Sequence, residues 1–286
     1  MFLADKWKDY ELLDTSDGMR LERWGKYTLV RPDPQVIWKN EKNHPKWKTA
    51  DASYRRVGGG GAWNENKLPA EWPLRYGNLQ FIIRPMGFKH TGLFPEQAAN
   101  WDYMMHLIST ANRPIKVLNL FAYTGGATVA AASAGAEVVH VDASKGMVAY
   151  AKENAAKNGL ENSKIRYIVD DCKKFAEREI RRGHTYDGIV MDPPSYGRGP
   201  GGEVWKLEES IDEFLAIASQ LISDKPLFFI LNSYTTGLSA STMKYLVSRR
   251  ILNKRIGKIE AEELGLPVTQ TGLALPCGST VRVSFE

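Results

Sequence analysis

The feature that most constrains this chain is a series of short apolar runs, each followed by glycine or by an acidic residue. Residues 115–121 lead to Gly125 and Gly126, residues 137–141 to Asp142, residues 164–169 to Asp170 and Asp171, and residues 186–191 to Asp192. A fifth apolar run covers residues 226–231, and helical segments separate the runs. Strands that alternate with helices form a parallel sheet with right-handed crossovers. The sequence therefore predicts an α/β fold with a doubly wound parallel sheet.

Signals at the helix ends support this alternation. A segment of small residues, 127–134, follows the glycine pair and reads as a short helix. Ser144 is placed to cap the next helix, because a serine side chain accepts a hydrogen bond from a free N–H group of the first turn. Asn158 and Gly159 are a typical carboxyl-terminal stop for that helix. We also expect a helix that begins near Leu207.

The residues at the ends of the runs predict a ligand site. In doubly wound sheets, ligands bind beyond the carboxyl ends of the strands, near the point where the strand order reverses. Glycines such as Gly125 and Gly126 allow a ligand to approach the backbone closely. An acid after the second strand, here Asp142, commonly binds ribose hydroxyls. The pattern predicts a cofactor that contains a nucleoside.

The turn at residues 122–128 separates two classes of cofactor. A dinucleotide fingerprint requires G-x-G-x-x-G, whereas this turn reads A-Y-T-G-G-A-T and holds no lysine or arginine. S-adenosylmethionine carries adenine and ribose without phosphate, and it is favoured here over a nicotinamide cofactor. A glycine turn that only packs a helix on a strand is the alternative at this stage.

The segment D-P-P-S-Y at residues 192–196 ends the fourth run. Proline has a fixed φ and no N–H group, so the chain is stiff there and its carbonyls are left for other donors. Asp192 and a neighbouring carbonyl could hold an amine, and the ring of Tyr196 could stack on a flat acceptor. D-P-P also ends ordinary strands.

Five segments carry a resemblance to a known family. They are residues 89–97 (KHTGLFPEQ), 119–126 (NLFAYTGG), 141–144 (VDAS), 170–172 (DDC) and 191–196 (MDPPSY). Residues 86–286 thereby resemble class I S-adenosylmethionine-dependent methyltransferases. They are most similar to the large-subunit ribosomal-RNA methyltransferases that include the 5-methylcytosine enzymes. The resemblance implies a Rossmann-like, seven-stranded methyltransferase domain.

The resemblance also implies roles for individual residues. The methionine part of the cofactor would contact Tyr123, Thr124, Gly125 and Gly126. The ribose would contact Asp142, with Ala143 and Ser144 beside it, and the adenine would lie against Asp171 and Cys172. Phe94 and Gln97 would close over the site. The residues that face the methyl acceptor would be Asp192, Pro193, Pro194 and Tyr196.

The chain departs from the family pattern in two places. Methylation of pyrimidine carbon 5 requires a cysteine nucleophile, and the family places it after the fifth strand. Residues 231–238 hold no cysteine, and the chain's two cysteines are Cys172 and Cys277, the latter in an apparent turn at residues 275–278. The family's RNA-binding PUA module has no counterpart. We therefore expect direct transfer to nitrogen or oxygen. In amine methyltransferases the aromatic residue usually follows the prolines directly, whereas here Ser195 intervenes, so a ring nitrogen is an open alternative to an exocyclic amine.

Composition bounds the domain organisation and the compartment. A chain of 286 residues can bury a sizeable core, and we expect a small strand-rich domain at residues 1–88 and a methyltransferase domain at residues 89–286. Two cysteines at unrelated positions fit a reducing compartment. There is no apolar run of membrane-spanning length and no zinc-ligand spacing. These observations predict a cytoplasmic protein without a metal site.

Charge and tryptophan concentrate in residues 1–90. This part holds 16 Lys and Arg against 11 Asp and Glu, which accounts for the whole net charge of +5, and it holds six of the eight tryptophans. Basic residues that alternate with aromatic residues, as in residues 38–48, suit contact with nucleic acid. A small β domain with a tryptophan core explains them equally well. Locally, residues 10–22 read as a hairpin that turns at residues 16–18, and the four glycines at 58–61 read as a flexible loop.

The sequence taken together predicts a methyltransferase that acts on a base in ribosomal RNA by direct in-line transfer. Within the enzymes, the alternatives are methylation of a small molecule or of a protein, and a nicotinamide oxidoreductase. From another class, the chain could be an RNA-binding protein that keeps the cofactor fold without turnover. The sequence does not fix the oligomeric state.

Overall fold

The computed structural model describes residues 1–57, 60–64, 67–87, 89–198 and 204–286. These residues form two compact units, one of residues 1–99 with 264–277 and one of residues 100–263 with 278–286. The expected division between residues 88 and 89 stays a prediction, since it concerns which parts fold on their own. Among the described residues, no helix is both long and apolar enough to cross a membrane.

The first unit is rich in strands, as expected. Its elements are β1 (Phe2–Leu3), β2 (Tyr10–Ser16), β3 (Met19–Trp24), β4 (Tyr27–Pro32), α1 (Lys46–Thr49), β5 (Ala52–Val57), β6 (Gly60–Asn64), β7 (Trp72–Tyr76) and β8 (Leu79–Ile83). Strands β2 to β6 form one sheet in chain order, in which β4 and β5 are parallel. Strands β7 and β8 form a separate hairpin, and β1 pairs with Leu264 and Gly265.

The predicted hairpin at residues 10–22 is confirmed. Strands β2 and β3 are antiparallel, and Ser16 pairs with Met19 across a two-residue turn. Asp17 has a φ of 55° and Gly18 a φ of 73°. Two left-handed residues in a two-residue loop match the right-handed twist of the strands, which is why Asp-Gly is favoured there.

The tryptophans of this unit are buried or partly buried, and none is fully exposed. Trp24 and Trp72 are buried, and the other four are partly buried. Five of the six indole N–H groups donate within the unit: Trp7 to Pro95, Trp38 to Thr15, Trp47 to Asp14, Trp63 to Met86 and Trp72 to Trp24. The expectation that they serve as base-stacking rings is therefore wrong for the buried pair, whose surface is occupied by the protein itself.

Two local predictions differ from the structure. Gly60 and Gly61 belong to strand β6, where they pair with Val57 and Arg56, instead of lying in a loop; Gly58 and Gly59 lie outside the described residues. A Cβ on Gly61 would lie 2.6 Å from the ring of Tyr54, so the missing side chain makes room for that ring. Residues 275–278 do not form a turn but continue through a long strand. Pairing with a neighbouring strand overrides the local turn preference of Pro and Gly.

A buried ion cluster fixes strands β2, β3 and β4 to one another. The fully buried carboxylate of Glu22 accepts hydrogen bonds from Arg31 Nε at 2.6 Å and from Arg31 Nη2 at 2.7 Å. The Tyr10 hydroxyl donates to the same carboxylate at 2.8 Å, and Arg20 Nε lies 3.4 Å from it. Burial opposes ionisation of Glu22, but Arg20 and Arg31 outweigh burial and lower its pKa to about 2.

The remaining elements build the second unit and complete the chain. They are α2 (Ala98–Thr110), β9 (Lys116–Leu120), α3 (Gly126–Ser133), β10 (Glu137–Asp142), α4 (Lys145–Ala156), β11 (Ile165–Val169), α5 (Cys172–Arg181), β12 (Gly188–Met191), β13 (Tyr196–Arg198), β14 (Val204–Lys206), α6 (Leu207–Ala218), β15 (Phe228–Ser233), α7 (Ala240–Val247), β16 (Gly257–Pro267) and β17 (Ala274–Phe285). A π-helical turn, Ser248–Leu252, follows α7, and short 3-10 turns cover Pro95–Gln97 and Ser219–Leu221.

The predicted doubly wound sheet is confirmed. Seven of the eight strands follow the order β11-β10-β9-β12-β15-β17-β16, and the short strand β1 pairs with β16 at the edge. Strands β9, β10, β11, β12 and β15 are parallel, and β17 is antiparallel to β15. The order runs outward in both directions from β9, so β9 and β12 flank the point of reversal. The carboxyl ends of these two strands are where such a sheet offers a ligand site.

The side chains of β9 alternate between two layers of the unit. Leu118 and Leu120 join a large apolar core with residues of α5, α6 and α7, among them the fully buried Phe175. Asn119 lies between these leucines and points to the other side of the sheet, where its side-chain amide donates to Thr128 of α3 at 2.9 Å. Helices therefore cover both faces, and the central strands β9, β12 and β15 are buried on both sides.

We predict that Glu22→Gln lowers the free energy of unfolding by roughly 3 kcal/mol at pH 7, because two buried guanidinium groups lose their anionic partner. Glu11→Gln is the control; Glu11 pairs with Arg23 at 3.1 Å but is one-third exposed, and its loss should cost under about 1 kcal/mol. The pKa of Glu22 is depressed, so its contribution is complete above the unfolded value of roughly 4.3 and is lost as the pH falls towards 2. Denaturant titrations between pH 7 and pH 2 should show the gap between wild type and Glu22→Gln closing below about pH 4.

Candidate active site

The carboxyl ends of β9, β10 and β12 meet at one edge of the sheet. The backbone N–H of Asp192, just after β12, points to the carbonyl of Leu120 at 3.4 Å, and the N–H of Ala122 donates to the carbonyl of Val141 at 3.0 Å. These contacts bring together the loop after β9, Asp142 at the end of β10, and the start of the D-P-P-S-Y segment. Three groups of predicted site residues are therefore neighbours.

The loop after β9 has an unusual backbone. Phe121, Tyr123 and Gly125 have φ values of 56°, 50° and 83°, so every second residue is left-handed. This conformation costs a residue with a side chain roughly 1 kcal/mol or more, and it persists only where the surroundings enforce it. The loop is therefore preformed, and strain of this kind is concentrated at functional sites.

The Asp142 carboxylate is one of the groups that hold this loop. Its Oδ2 accepts the backbone N–H of Tyr123 and its Oδ1 that of Ser144, each at 2.8 Å. Burial raises the pKa of Asp142, and the two N–H groups act in the opposite direction. Ser144, as predicted, caps α4 by accepting the N–H of Met147. Ala143 lies between the two residues.

The two glycines allow close packing of neighbouring helices as well as the unusual backbone of the loop. A Cβ on Gly125 would lie 2.8 Å from the Cβ of Ala151 in α4, and a Cβ on Gly126 would lie 2.8 Å from the indole of Trp101 in α2. The space beside them is filled by these neighbours. Both glycines therefore let helices α2 and α4 lie close to the loop, and the left-handed φ of Gly125 is a separate requirement.

A polar chain beneath the loop escaped the sequence reasoning. The Thr128 hydroxyl, which accepts from Asn119, is also within 2.9 Å of His140 Nδ1. The Asn154 side chain donates to the carbonyl of Thr124 at 2.8 Å. Burial lowers the pKa of His140 to about 3, so the ring is neutral at physiological pH. These residues lie within helices and strands, where polar side chains usually face solvent. Only the tertiary structure shows that they are buried and hydrogen-bonded to one another or to the loop.

The predicted adenine-side residues lie at the start of α5. Asp171 caps this helix by accepting the N–H of Lys174 at 2.9 Å, and it lines a cavity of about 370 Å³ with Trp205. The Cys172 thiol is buried in the core, where its sulfur accepts the N–H of Phe121 at 3.2 Å. Burial raises the pKa of this thiol far above its usual value. Its side chain therefore supports the loop from below.

The D-P-P-S-Y segment is a turn held from two sides. Pro193 is buried, whereas Pro194, Ser195 and Tyr196 are exposed, and just over half of the Tyr196 surface is accessible. The Thr235 hydroxyl, beyond β15, donates to the Ser195 hydroxyl at 2.6 Å. The indole of Trp205 donates to the Pro194 carbonyl at 2.7 Å. Neither Thr235 nor Trp205 was a predicted site residue.

The hairpin that carries Trp205 was also missed. Tyr196 pairs with Lys206 and Gly197 with Trp205, so the chain doubles back directly after the turn. Residues 199–203 and the side chain of Arg198, for which a mobile lid was one hypothesis, lie outside the described residues. Among the described residues, no group of three or more His, Cys, Asp and Glu side chains is arranged to hold a metal ion.

Phe94 and Gln97 belong to the first unit. Phe94 precedes the 3-10 turn Pro95–Gln97, and its ring meets that of His90 edge-on at 5.8 Å between centroids. Gln97 is buried. Their predicted part in closing over the cofactor stays a prediction.

Comparison with known proteins identifies the family. Residues 54–207, more than half of the chain, match the model of a family described as S-adenosylmethionine-dependent methyltransferase. The chain belongs to this family. The crystal structure of a SAM-dependent methyltransferase from Agrobacterium tumefaciens is 38% identical and has a TM-score of 0.92, and the match covers 99% of this chain and 93% of that one. The predicted cofactor is thereby confirmed: the methyltransferase depends on S-adenosylmethionine.

Curated relatives match a smaller part. The ribosomal RNA large subunit methyltransferase K/L of Shewanella baltica is 34% identical over 134 residues, which is 46% of this chain and 17% of that protein. The protein of the same name from Shewanella frigidimarina is 33% identical over 146 residues, or 50% of this chain and 20% of that protein. The match thus covers about a fifth of the length of these relatives.

We predict that Gly125→Ala weakens S-adenosylmethionine binding by roughly tenfold, equivalent to about 1.4 kcal/mol, because the new Cβ clashes with Ala151 and displaces the loop. Gly159→Ala is the matched control, since Gly159 has a similar φ of 67° but open space around it. Both variants should lose about 1 kcal/mol of stability through the left-handed φ, and Gly125→Ala should lose more because of the clash. Calorimetric titration should show the affinity loss for Gly125→Ala alone; equal affinities would show that the loop tolerates the shift.

Proposed function

We propose that this methyltransferase transfers a methyl group to a nitrogen atom of a base in RNA. The observation that carries the proposal is the contact between the turn at Asp192 and the strained loop after β9, through Asp192 and Leu120. This contact brings the backbone of Asp192 next to a preformed loop, and an acid beside the cofactor is the arrangement that methyl transfer to an amine needs. The reaction then depends on alignment of the reacting atoms.

We propose that the cofactor lies over residues 121–126, with its ribose on Asp142. Each Asp142 oxygen accepts one N–H group, and a carboxylate oxygen can accept a second hydrogen bond, here from a ribose hydroxyl. The turn 122–128 contains no cation, which suits a ligand without phosphate. Asp171 and the cavity beside Trp205 would take the adenine. These features fit S-adenosylmethionine.

The acceptor would be held by Asp192 and Pro193. The Pro194 carbonyl is engaged by Trp205, whereas within the described residues no hydrogen bond reaches the Pro193 carbonyl. When bound, S-adenosylmethionine supplies a methyl group whose carbon–sulfur electron pair stays on sulfur as the nitrogen lone pair forms the new bond. Asp192 and the Pro193 carbonyl would accept N–H hydrogen bonds from the acceptor and so orient its lone pair. Asp192 would take the released proton. The exposed ring of Tyr196 would stack on the base.

Carbon-5 methylation is disfavoured by the state of both cysteines. The reaction requires a thiolate at the acceptor. Cys172 and Cys277 are buried, and burial raises the pKa of each thiol far above its usual value. After β15, at the position where the resembled family carries its nucleophile, the chain has Tyr234 and Thr235. Direct transfer to nitrogen is the chemistry that the remaining groups support.

RNA as the acceptor rests on the relatives and on the first unit. The Shewanella relatives are named as ribosomal RNA methyltransferases, although the match covers only a small part of them. In residues 1–88, Lys46 and Lys48 of α1 are exposed and have no acidic partner among the described residues. We propose that lysines of this kind contact RNA phosphates, in a cytoplasmic protein.

Nucleoside mass spectrometry tests the substrate. Ribosomal RNA from cells that lack the protein should miss one methylated nucleoside, and the purified protein with S-adenosylmethionine should restore it on that RNA. The mass and retention of the nucleoside identify the methylated atom. If every methylated nucleoside persists, RNA is not the acceptor, and a small molecule or a protein becomes the candidate.

We predict that Asp192→Ala lowers kcat by roughly a hundredfold, since misalignment of reacting groups costs about that much. Binding of S-adenosylmethionine should change less than about twofold, because the ribose contact at Asp142 is intact. Asp224→Ala is the control, as Asp224 is an exposed acid that precedes β15 at the opposite edge. Methyl-transfer rates with saturating cofactor measure the effect. Full activity of Asp192→Ala would remove Asp192 from the acceptor site.

A further inference from the structure

Trp205 touches both halves of the proposed site. Its indole N–H donates to the Pro194 carbonyl at 2.7 Å, within the turn that would hold the acceptor. Its ring lies 5.6 Å from that of Phe121, the first residue of the strained loop, and 5.8 Å from that of Phe214 in α6. Phe121 and Phe214 are themselves 5.6 Å apart, which closes a triangle of aromatic rings. One side chain thus links the acceptor turn to the cofactor loop.

The orientation of Trp205 is fixed by its hairpin. Strand β14 alternates, so Val204 and Lys206 face outward and Trp205 faces the turn. Its strand partner is Gly197, where a Cβ would lie 3.8 Å from both Trp205 and Pro194. The turn is further tied by the N–H of Leu207, which donates to the Ser195 carbonyl at 3.1 Å. The indole is therefore held against the turn by backbone pairing.

We propose that Trp205 is a positioning residue for methyl transfer. By donating to the Pro194 carbonyl, its N–H would hold the turn so that the Pro193 carbonyl and the Asp192 side chain face a substrate amine. By packing on Phe121, its ring fixes the distance between that pair and the cofactor loop. The inference rests on the proposed function, since it explains how the turn would aim a nitrogen lone pair.

A purely structural role makes a different prediction. If Trp205 only fills space between Phe121 and Phe214, phenylalanine at this position preserves most of the packing, and catalysis is unaffected. If the N–H fixes the turn, Trp205→Phe loses alignment while the rings still pack. Trp205→Leu removes both the donor and the ring, and it should be the more impaired variant.

The experiment compares Trp205→Phe and Trp205→Leu with Trp72→Phe. Trp72 is a buried tryptophan of the first unit whose indole donates to the Trp24 carbonyl at 3.1 Å, so the control loses the same kind of bond elsewhere. For Trp205→Phe we expect kcat on RNA, measured at saturating S-adenosylmethionine, to fall about tenfold, with the KM for RNA within about twofold. Trp72→Phe should keep the wild-type kcat. A wild-type kcat in Trp205→Phe would overturn the proposal.

Hydrogen–deuterium exchange supplies a readout that needs no RNA. In Trp205→Phe the amides of residues 195–198 should exchange severalfold faster than in wild type, and in Trp72→Phe they should exchange at the wild-type rate. Unchanged exchange in Trp205→Phe would show that the indole does not order the turn, and the proposal would fail. If the wild type methylates no RNA, the proposed function fails instead, and the exchange rates alone decide the role of Trp205.

Discussion

The site depends on one carboxylate at the end of β10. Asp142 binds the N–H of Tyr123 and the N–H of Ser144, and so joins the loop after β9 to the start of α4. Without this acceptor, the left-handed backbone at Tyr123 would lack a compensating interaction. Burial makes the charge costly, and two N–H groups offset part of that cost. The two hydrogen bonds thus offset part of two costs, the strain in the loop and the desolvation of the acid.

The parallel sheet explains why these groups meet. In parallel strands the carboxyl ends lie at a common edge, so residues more than twenty positions apart become neighbours. Asp142 ends β10 and Asp192 follows β12, the two strands on either side of β9, and the carbonyl of Leu120 contacts the backbone N–H of Asp192. The buried polar chain from Asn119 to His140 lies below and fixes β9, α3 and β10. Because these hydrogen-bonded side chains are neutral, they hold the three elements together without adding charge to the site.

The turn that we propose for the acceptor is held by hydrogen bonds and ring packing. Both thiols are buried, and one of them, Cys172, stabilises the loop from the core. The turn after β12 is held by Trp205 and Thr235, from elements that follow it in the chain. A site of the proposed kind would control the reaction through the orientation of the acceptor, since methyl transfer from a sulfonium needs alignment more than activation.

The sequence by itself determined the strand–helix alternation, the hairpin at Asp17, the cap at Ser144 and the acids at the strand ends, because hydrophobic period, turn chemistry and capping are local properties. It did not determine the strand through residues 275–278 or the strand at Gly60, where pairing overrides local preference. The left-handed φ of Phe121 and Tyr123 and the contacts of His140 and Trp205 were equally hidden. These features depend on partners far apart in the chain, and only the tertiary structure brings those partners within hydrogen-bonding distance.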